Sequence, residues 1–412
     1  LAAGLVTLFV LGIAAVQLPQ GWLYGKLRRG TDRDMVLFAS LWILQDWLRT
    51  VLASGYPWIF MGYAYLGTPF DGAAPVVGVY GMSLLSVLAA LLIVRLLRPG
   101  RALAAILLTV LVGCVYALQF VDFTEPGESR SVSLLQGNIE QRTKWRRDSA
   151  ARIQETYRSM TASEYGRDII LWPEASITLM LKRAQPFLEE IGQKASAAGS
   201  TVILGIPDWN AAGAGQNTAV AIGKGDGQYV KRRLVPFGEY VPLAKWLRGL
   251  IAFFDLPMAR SEPGPEQQTP LMADGLTLST TICYEVIYPE LVRESVNQPA
   301  LLVTISNDTW FGESIGPFQH LQMAQMRALE NGRYMIRATN NGITTIIDHR
   351  GRLLDSLPQF QAGVLRGEVE IRQGQTPFHR FGSYPTFAVC LLALLAFVNI
   401  KKVRRLFNAK QD

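Results

Sequence analysis

Apolar positions crowd the two ends of the chain and thin out between them. Four segments near the front, residues 1–24, 35–53, 76–97 and 102–120, are long enough or nearly so to cross a bilayer, and a fifth lies at 384–400. The second is broken by Gln45, Asp46 and Arg49, so it reads either as a buried core helix or as a span whose Asp46 and Arg49, one turn apart, pair or line a polar cavity. Between the ends the pattern changes to short β-branched runs, predicting strands at 131–135, 168–172, 201–206, 218–222, 229–234, 276–282, 301–305, 334–338, 343–347 and 364–369. Helices are predicted at 148–163, 186–198, 289–296 and 318–331, with hairpin turns at 223–227 and 348–351. Strands alternating with helices make residues 122–383 an α/β domain, set between a helical region at 1–121 and a C-terminal helix at 384–400 with a basic tail at 401–412.

Charge adds an orientation. The 412 residues are 49% hydrophobic with a net charge of +7, and the basic residues sit beside the apolar segments. Lys26, Arg28, Arg29 and Arg33 follow the first span, Arg95, Arg98 and Arg101 the third, and Lys401, Lys402, Arg404 and Arg405 the fifth, while residues 54–75 hold neither Lys nor Arg. The positive-inside rule puts the basic loops in the cytoplasm and the domain at 122–383 on the outer face. That pattern predicts membrane orientation rather than a nucleic-acid surface. The aromatic loop at 55–63 reads as an interfacial belt or a lipid-facing substrate entrance. The chain opens at Leu1, already inside an apolar run with no basic leader, and so reads as N-terminally truncated or processed rather than as carrying a signal peptide.

Three residues at predicted strand ends or edges carry candidate chemistry. Cys283 closes the apolar run at 276–282 just before a turn into a helix, where unpaired backbone N–H groups offer partial positive charge to a thiolate; read alone, it is equally a small core residue. Glu174 follows Leu171-Trp172-Pro173, where a carboxylate against apolar walls can serve as a general base, or simply cap a helix. Lys231, on the predicted strand 229–234, shares a face with Arg233 and Val235, either as a fixed cation for an oxyanion or as part of a solvated basic strand.

Glutamate, lysine and cysteine in this order, with their flanks, resemble the nitrilase (carbon–nitrogen hydrolase) superfamily, and more closely the bacterial apolipoprotein N-acyltransferases. The matching stretches are Leu135-Gln136-Gly137-Asn138-Ile139, Trp172-Pro173-Glu174, Leu234-Val235-Pro236-Phe237-Gly238-Glu239-Tyr240, Ile282-Cys283-Tyr284-Glu285, Ser306-Asn307-Asp308-Thr309-Trp310-Phe311-Gly312 and Thr339-Asn340-Asn341-Gly342. The resemblance implies a four-layer α-β-β-α sandwich joined to transmembrane helices, with more helices at the front than this chain carries. It implies Cys283 as nucleophile, Glu174 as general base and Lys231 as oxyanion partner, supported by Glu239, Glu285 and the Tyr284 backbone N–H. Trp145 and Trp310 match aromatics near the acyl site, and Trp246 and Phe253 belong to an apolar arm expected to dip into the interface. The implied partners are a phospholipid acyl donor, phosphatidylethanolamine, and a diacylated apolipoprotein acceptor. The implied setting is a monomeric multi-pass protein of the bacterial inner membrane whose catalytic domain faces the periplasm.

No metal or organic cofactor is expected: His320, His349 and His379 lack ligand spacing and read as ordinary loop or helix residues, and Cys114 and Cys390 lie in predicted spans, away from Cys283. Two other readings use the same residues. One is a membrane-tethered amidase or nitrilase with water as acceptor, the other an idle domain that binds lipoproteins or lipid.

Overall fold

The computed structural model describes residues 2–52, 55–241, 261–296 and 300–397, and the chain divides into two compact units, Leu1–Val121 with Arg380–Asp412, and Asp122–His379. The first is helical. It contains α1 (Ala2–Leu27), α2 (Asp34–Val51), α3 (Ala74–Leu96), α4 (Ala102–Leu118) and a C-terminal helix, Tyr384–Phe397. Among the described residues, two helical stretches are long and apolar enough to cross a membrane, Val6–Leu27 and Asp71–Leu96, while Ala102–Leu118 and Tyr384–Phe397 are apolar but shorter. Within α3 the helix breaks at Gly78, whose φ of 62° is a conformation that costs a residue without Cβ little.

One expectation for this unit is met and one changes. Gln45, Asp46 and Arg49 of α2 are all buried and Arg49 pairs with Asp46, so its polar residues turn inward. The aromatic loop does not project as a belt. Trp58, Phe60 and Tyr63 are buried, Phe60 lies against Tyr80 at a centroid distance of 4.9 Å, and the Arg49 guanidinium sits 5.5 Å from the Phe60 ring. Aromatic packing around a buried cation outweighs the interfacial preference of these rings.

The second unit holds two sheets. Strands β1 (Ser129–Gln136), β2 (Ile169–Leu171), β3 (Thr201–Trp209), β4 (Gly215–Gly223), β6 (Gln228–Val230) and β13 (Gly363–Glu370) form one, in the order β13-β1-β2-β3-β4-β6. The other runs β12-β11-β10-β9-β8-β7-β5, from Leu353–Ser356, Thr345–Ile347, Met335–Thr339, Ala300–Ser306, Leu276–Ile282, Leu271–Ala273 and Gly225–Asp226. At the centre of each, three strands are parallel: β1-β2-β3 in the first and β8-β9-β10 in the second. This explains their continuous apolar runs, because parallel strands are buried on both faces.

Strand parity fixes the layers. Val132, Leu134, Ile169, Leu171 and Ile203 from the first sheet join Leu276, Leu278, Ile282, Val303, Ile305 and Ile336 from the second in one buried cluster, so the sheets face each other. The alternate residues Leu135, Ile170, Val202 and Leu204 pack instead with helices α6 (Ala150–Thr161) and α7 (Leu181–Ala197), through Ile153, Tyr157, Leu188 and Ile191. On the far side of the second sheet, Ser279 of β8 meets Ser295 of α8 (Pro289–Ser295) at 2.5 Å, and Arg337 of β10 reaches His320 of α9 (Gly316–Asn331).

Most predicted strands appear within two residues of their expected ends, with one correction that touches the site. The strand expected at 229–234 stops at Val230. Beyond it the backbone N–H groups of Arg232 and Arg233 donate to the Glu285 carboxylate, at 2.6 and 3.1 Å, and leave the ladder. Lys231 therefore owes its direction to that loop and not to alternation along a strand. The exposed edge strand β12 was not anticipated, since its four residues carry no buried–exposed alternation.

Candidate active site

Glu174, Lys231 and Cys283 come from three separate turns at the ends of strands in the two sheets. Glu174 lies in the turn after β2, behind Pro173, and that turn rests directly on β3 at Gly205. A Cβ at Gly205 would sit 2.7 Å from the Glu174 Cα and 2.5 Å from the Ala175 nitrogen, so only glycine admits the turn there. Lys231 follows β6, its backbone N–H still paired with the Asn217 carbonyl at 2.9 Å. Cys283 follows β8 directly and begins a 3-10 turn, Cys283–Ile287, with a φ of 54°. For a side chain with Cβ this left-handed conformation costs about 1 kcal/mol or more.

Lys231 is 1% exposed and sits between two carboxylates. Its Nζ donates to Glu239 Oε1 at 2.8 Å and lies 3.5 Å from Glu174 Oε1. Burial works against its charge, but Glu239 and Glu174 outweigh that and hold its pKa above the ordinary lysine value, so it stays an ammonium. Asn217, on β4, ties the two acids together: Nδ2 donates to Glu174 Oε1 at 2.6 Å and to Glu239 Oε1 at 3.3 Å. The other oxygen of Glu174 accepts the Asn307 backbone N–H at 2.8 Å, and that of Glu239 accepts the Val235 N–H at 2.8 Å.

The Cys283 thiol is within electrostatic reach of Glu174 and Lys231. Burial and then the Glu174 charge push its pKa well above the usual thiol range, against the pull of Lys231. The expected depression of this pKa by the turn's N–H groups is thus overturned. At this half-buried thiol, desolvation and a neighbouring carboxylate exceed the local dipole. Glu285, fully buried, does not hydrogen-bond Lys231. Its Oε1 gathers Tyr229 Oη and the N–H groups of Arg232 and Arg233, and its Oε2 accepts the Ile282 N–H at 2.8 Å, clamping the Lys231 loop to the strand that carries Cys283. Burial raises its pKa despite those donors.

Tyr284 is buried, its ring edge-on to Tyr288 at 5.6 Å. Trp145 and Trp310 are exposed, at 46% and 63%. Trp246 and Phe253 lie outside the described residues. Among the described residues no cluster of His, Cys, Asp or Glu has metal-binding geometry. Two neighbours were missed. Asn217 sits mid-strand with no motif around it, and Lys144, in the short helix α5 (Gln141–Lys144), is 1% exposed and donates to the Glu174 carbonyl at 3.3 Å. Burial brings the Lys144 pKa down to about 8, with Glu174 opposing.

Residues 131–376 match the carbon–nitrogen hydrolase family, and residues 1–92 match the N-terminal domain of apolipoprotein N-acyltransferase. The apolipoprotein N-acyltransferase of Pseudomonas syringae pv. tomato is 43% identical over 96% of this chain and 82% of its own length. The chain belongs to the apolipoprotein N-acyltransferase family. The Coxiella burnetii apolipoprotein N-acyltransferase, at 36% identity, covers 96% of the chain and 83% of its own length. Among solved structures, a carbon–nitrogen hydrolase from Helicobacter pylori aligns with a TM-score of 0.44 at 15% identity, over 68% of this chain and 98% of its own.

Proposed function

We propose that this acyltransferase moves an acyl chain from a phospholipid to the α-amino group of the N-terminal diacylglyceryl-cysteine of apolipoproteins, through a thioester on Cys283. The observation that carries the reading is the meeting of Glu174, Lys231 and Cys283 at the ends of two facing sheets in a chain of this family. Because the resting thiol is protonated, it needs a base. Glu174 takes the S–H proton as sulfur attacks the ester carbonyl; a C–S bond forms and the carbonyl electron pair moves onto oxygen. The permanently charged Lys231 ammonium and the Tyr284 backbone N–H offset that oxyanion. Collapse breaks the C–O bond, and Glu174 hands its proton to the departing lysophospholipid hydroxyl. The lipoprotein amine then attacks the thioester, losing a proton to Glu174. The C–N bond forms, the C–S bond breaks, and the proton returns to sulfur.

Glu239 holds Lys231 in line, and Glu285 acts through the backbone of the Lys231 loop. Trp145 and Trp310, large and exposed, receive acyl chain, as do Trp246 and Phe253 of the apolar arm. A diacyl lipid reaches its enzyme laterally from the bilayer, which the apolar helices and the charge pattern of their loops suit. On that pattern the chain is a multi-pass inner-membrane protein with residues 122–383 on the periplasmic side. Phosphatidylethanolamine is the proposed donor. The test is intact mass of the full chain in detergent after incubation with phosphatidylethanolamine, native against Cys283→Ala. A hydroxylamine-labile acyl adduct on the native chain only, with lysophospholipid released and the acyl passed on to a diacyl lipopeptide, is expected. No adduct on a folded native chain would sink the reading, and an adduct discharged only to water would favour a hydrolase.

A further inference from the structure

Behind the nucleophile lies a second polar cluster that the acyl transfer does not use. Asp308, His320 and Arg337 are each at most 2% exposed. Arg337 Nη2 donates to Asp308 Oδ2 at 2.6 Å and lies 3.1 Å from His320 Nδ1. Asp308 Oδ1 accepts Ser306 Oγ at 2.6 Å and is also 3.1 Å from His320 Nδ1. Removing these charges from water costs several kcal/mol per ion before the pairing offsets it. Apolar residues of similar volume would fill the space at no such cost. The cluster ends on one acceptor: His320 Nε2 is 3.1 Å from the Cys283 carbonyl oxygen. A carbonyl only accepts, so Nε2 carries the hydrogen and donates.

The peptide unit between Cys283 and Tyr284 links that carbonyl to the oxyanion. In a trans peptide the C=O of one residue and the N–H of the next lie in one plane and point in opposite directions. Whatever grips the Cys283 oxygen therefore sets where the Tyr284 N–H points. The grip is needed because Cys283 holds a φ of 54°, from which an unrestrained non-glycine residue relaxes toward negative φ.

We propose that His320, braced by Asp308 and Arg337, is a positioning residue that aims the Tyr284 N–H at the oxyanion by holding the Cys283 carbonyl from behind. The inference rests on the reading of Cys283 as the acyl-accepting nucleophile. It separates two reactions of one sulfur. Acylation passes through an oxyanion and needs the aimed N–H, whereas alkylation by iodoacetamide forms no oxyanion and does not.

The experiment measures both on the full chain in detergent, using the p-nitrophenol burst from p-nitrophenyl butyrate and mass-resolved alkylation of Cys283. In His320→Leu the burst slows about 100-fold or more, the scale of losing one oxyanion donor, while alkylation changes less than about threefold. His320→Gln, whose amide N–H reaches the place of Nε2, recovers most of the burst, and His320→Asn, whose amide stops at the place of Nδ1, does not. The glutamine–asparagine pair carries the test if the leucine chain does not fold. Equal slowing of both reactions, or slowing of neither, overturns the proposal, as does asparagine matching glutamine. A native chain acylated by the activated ester but not by phospholipid leaves this inference standing and removes the lipid reading. A native chain acylated by neither removes both.

Discussion

In the proposed cycle Cys283 begins as a thiol rather than a thiolate, and its neighbours pull its pKa in opposite directions. Glu174 raises it and Lys231 lowers it. Alkylation of Cys283 followed against pH therefore has its rising limb above the usual cysteine value of about 8.5. Glu174→Gln removes a raising charge and moves that limb down, while abolishing acyl transfer; Lys231→Ala removes a lowering charge and moves it up. Peptide-resolved mass spectrometry of Cys283, with Cys114 and Cys390 as internal comparisons, reads both shifts, and a Glu174→Gln limb that moves up would contradict the assignment. The three residues of the proposed triad stood out in sequence because each sits in a distinctive ordered stretch at a strand end. Asn217 was not, because a lone amide in an apolar strand looks the same whether it faces solvent or bridges two carboxylates. His320 was read as an ordinary helix or loop residue, since one of its partners is a backbone carbonyl and the others, Asp308 and Arg337, come from separate elements, so no local pattern records them.

At the scale of elements, two contacts set the spacing of the site. Gly205 lets the Glu174 turn lie flat on β3. Gly205→Ala therefore displaces the base by pushing on backbone rather than on a yielding side chain, and a displacement near 1 Å lowers kcat about 100-fold. Steady-state transfer to a diacyl lipopeptide measures it; an unchanged kcat would show that the turn can yield. Glu285 clamps the Lys231 loop to the end of β8 through four donors. In Glu285→Gln an amide NH2 faces buried N–H groups, which leaves at least one donor unmet, at a cost of about 1–3 kcal/mol. A lowered unfolding midpoint together with slower acylation is expected. The sequence exposed these strands through their β-branched runs but placed Lys231 on the wrong kind of element. Alternation continues through Leu234 in the sequence, while in the structure the strand stops at Val230 and the distant Glu285 carboxylate takes the next N–H groups.

Across the whole molecule, the layered domain was legible because parallel strands buried on both faces leave continuous apolar runs, whereas exposed edges such as β12 leave none. The buried Asp308 network makes a prediction at this scale. Burial works against the Asp308 charge, but Arg337 and His320 outweigh it and hold the carboxyl well below the usual range. A depressed carboxyl pKa contributes stability above its unfolded value of about 3.9 and loses it as pH falls toward the folded value. Asp308→Asn is expected to lower the unfolding midpoint at neutral pH, by the equivalent of about 3–5 kcal/mol for a broken buried pair, with the deficit shrinking below about pH 4. A deficit constant from pH 3 to 8 would contradict it. The raised Cys283 pKa has a further meaning for the resting protein. Peroxides, disulfides and heavy-metal ions all attack sulfur as its anion, so the raised pKa slows those reactions at the proposed nucleophile between turnovers. Unfolding the domain exposes an ordinary, more ionised cysteine, and the native chain should outlast its own denatured state in an oxidising surrounding.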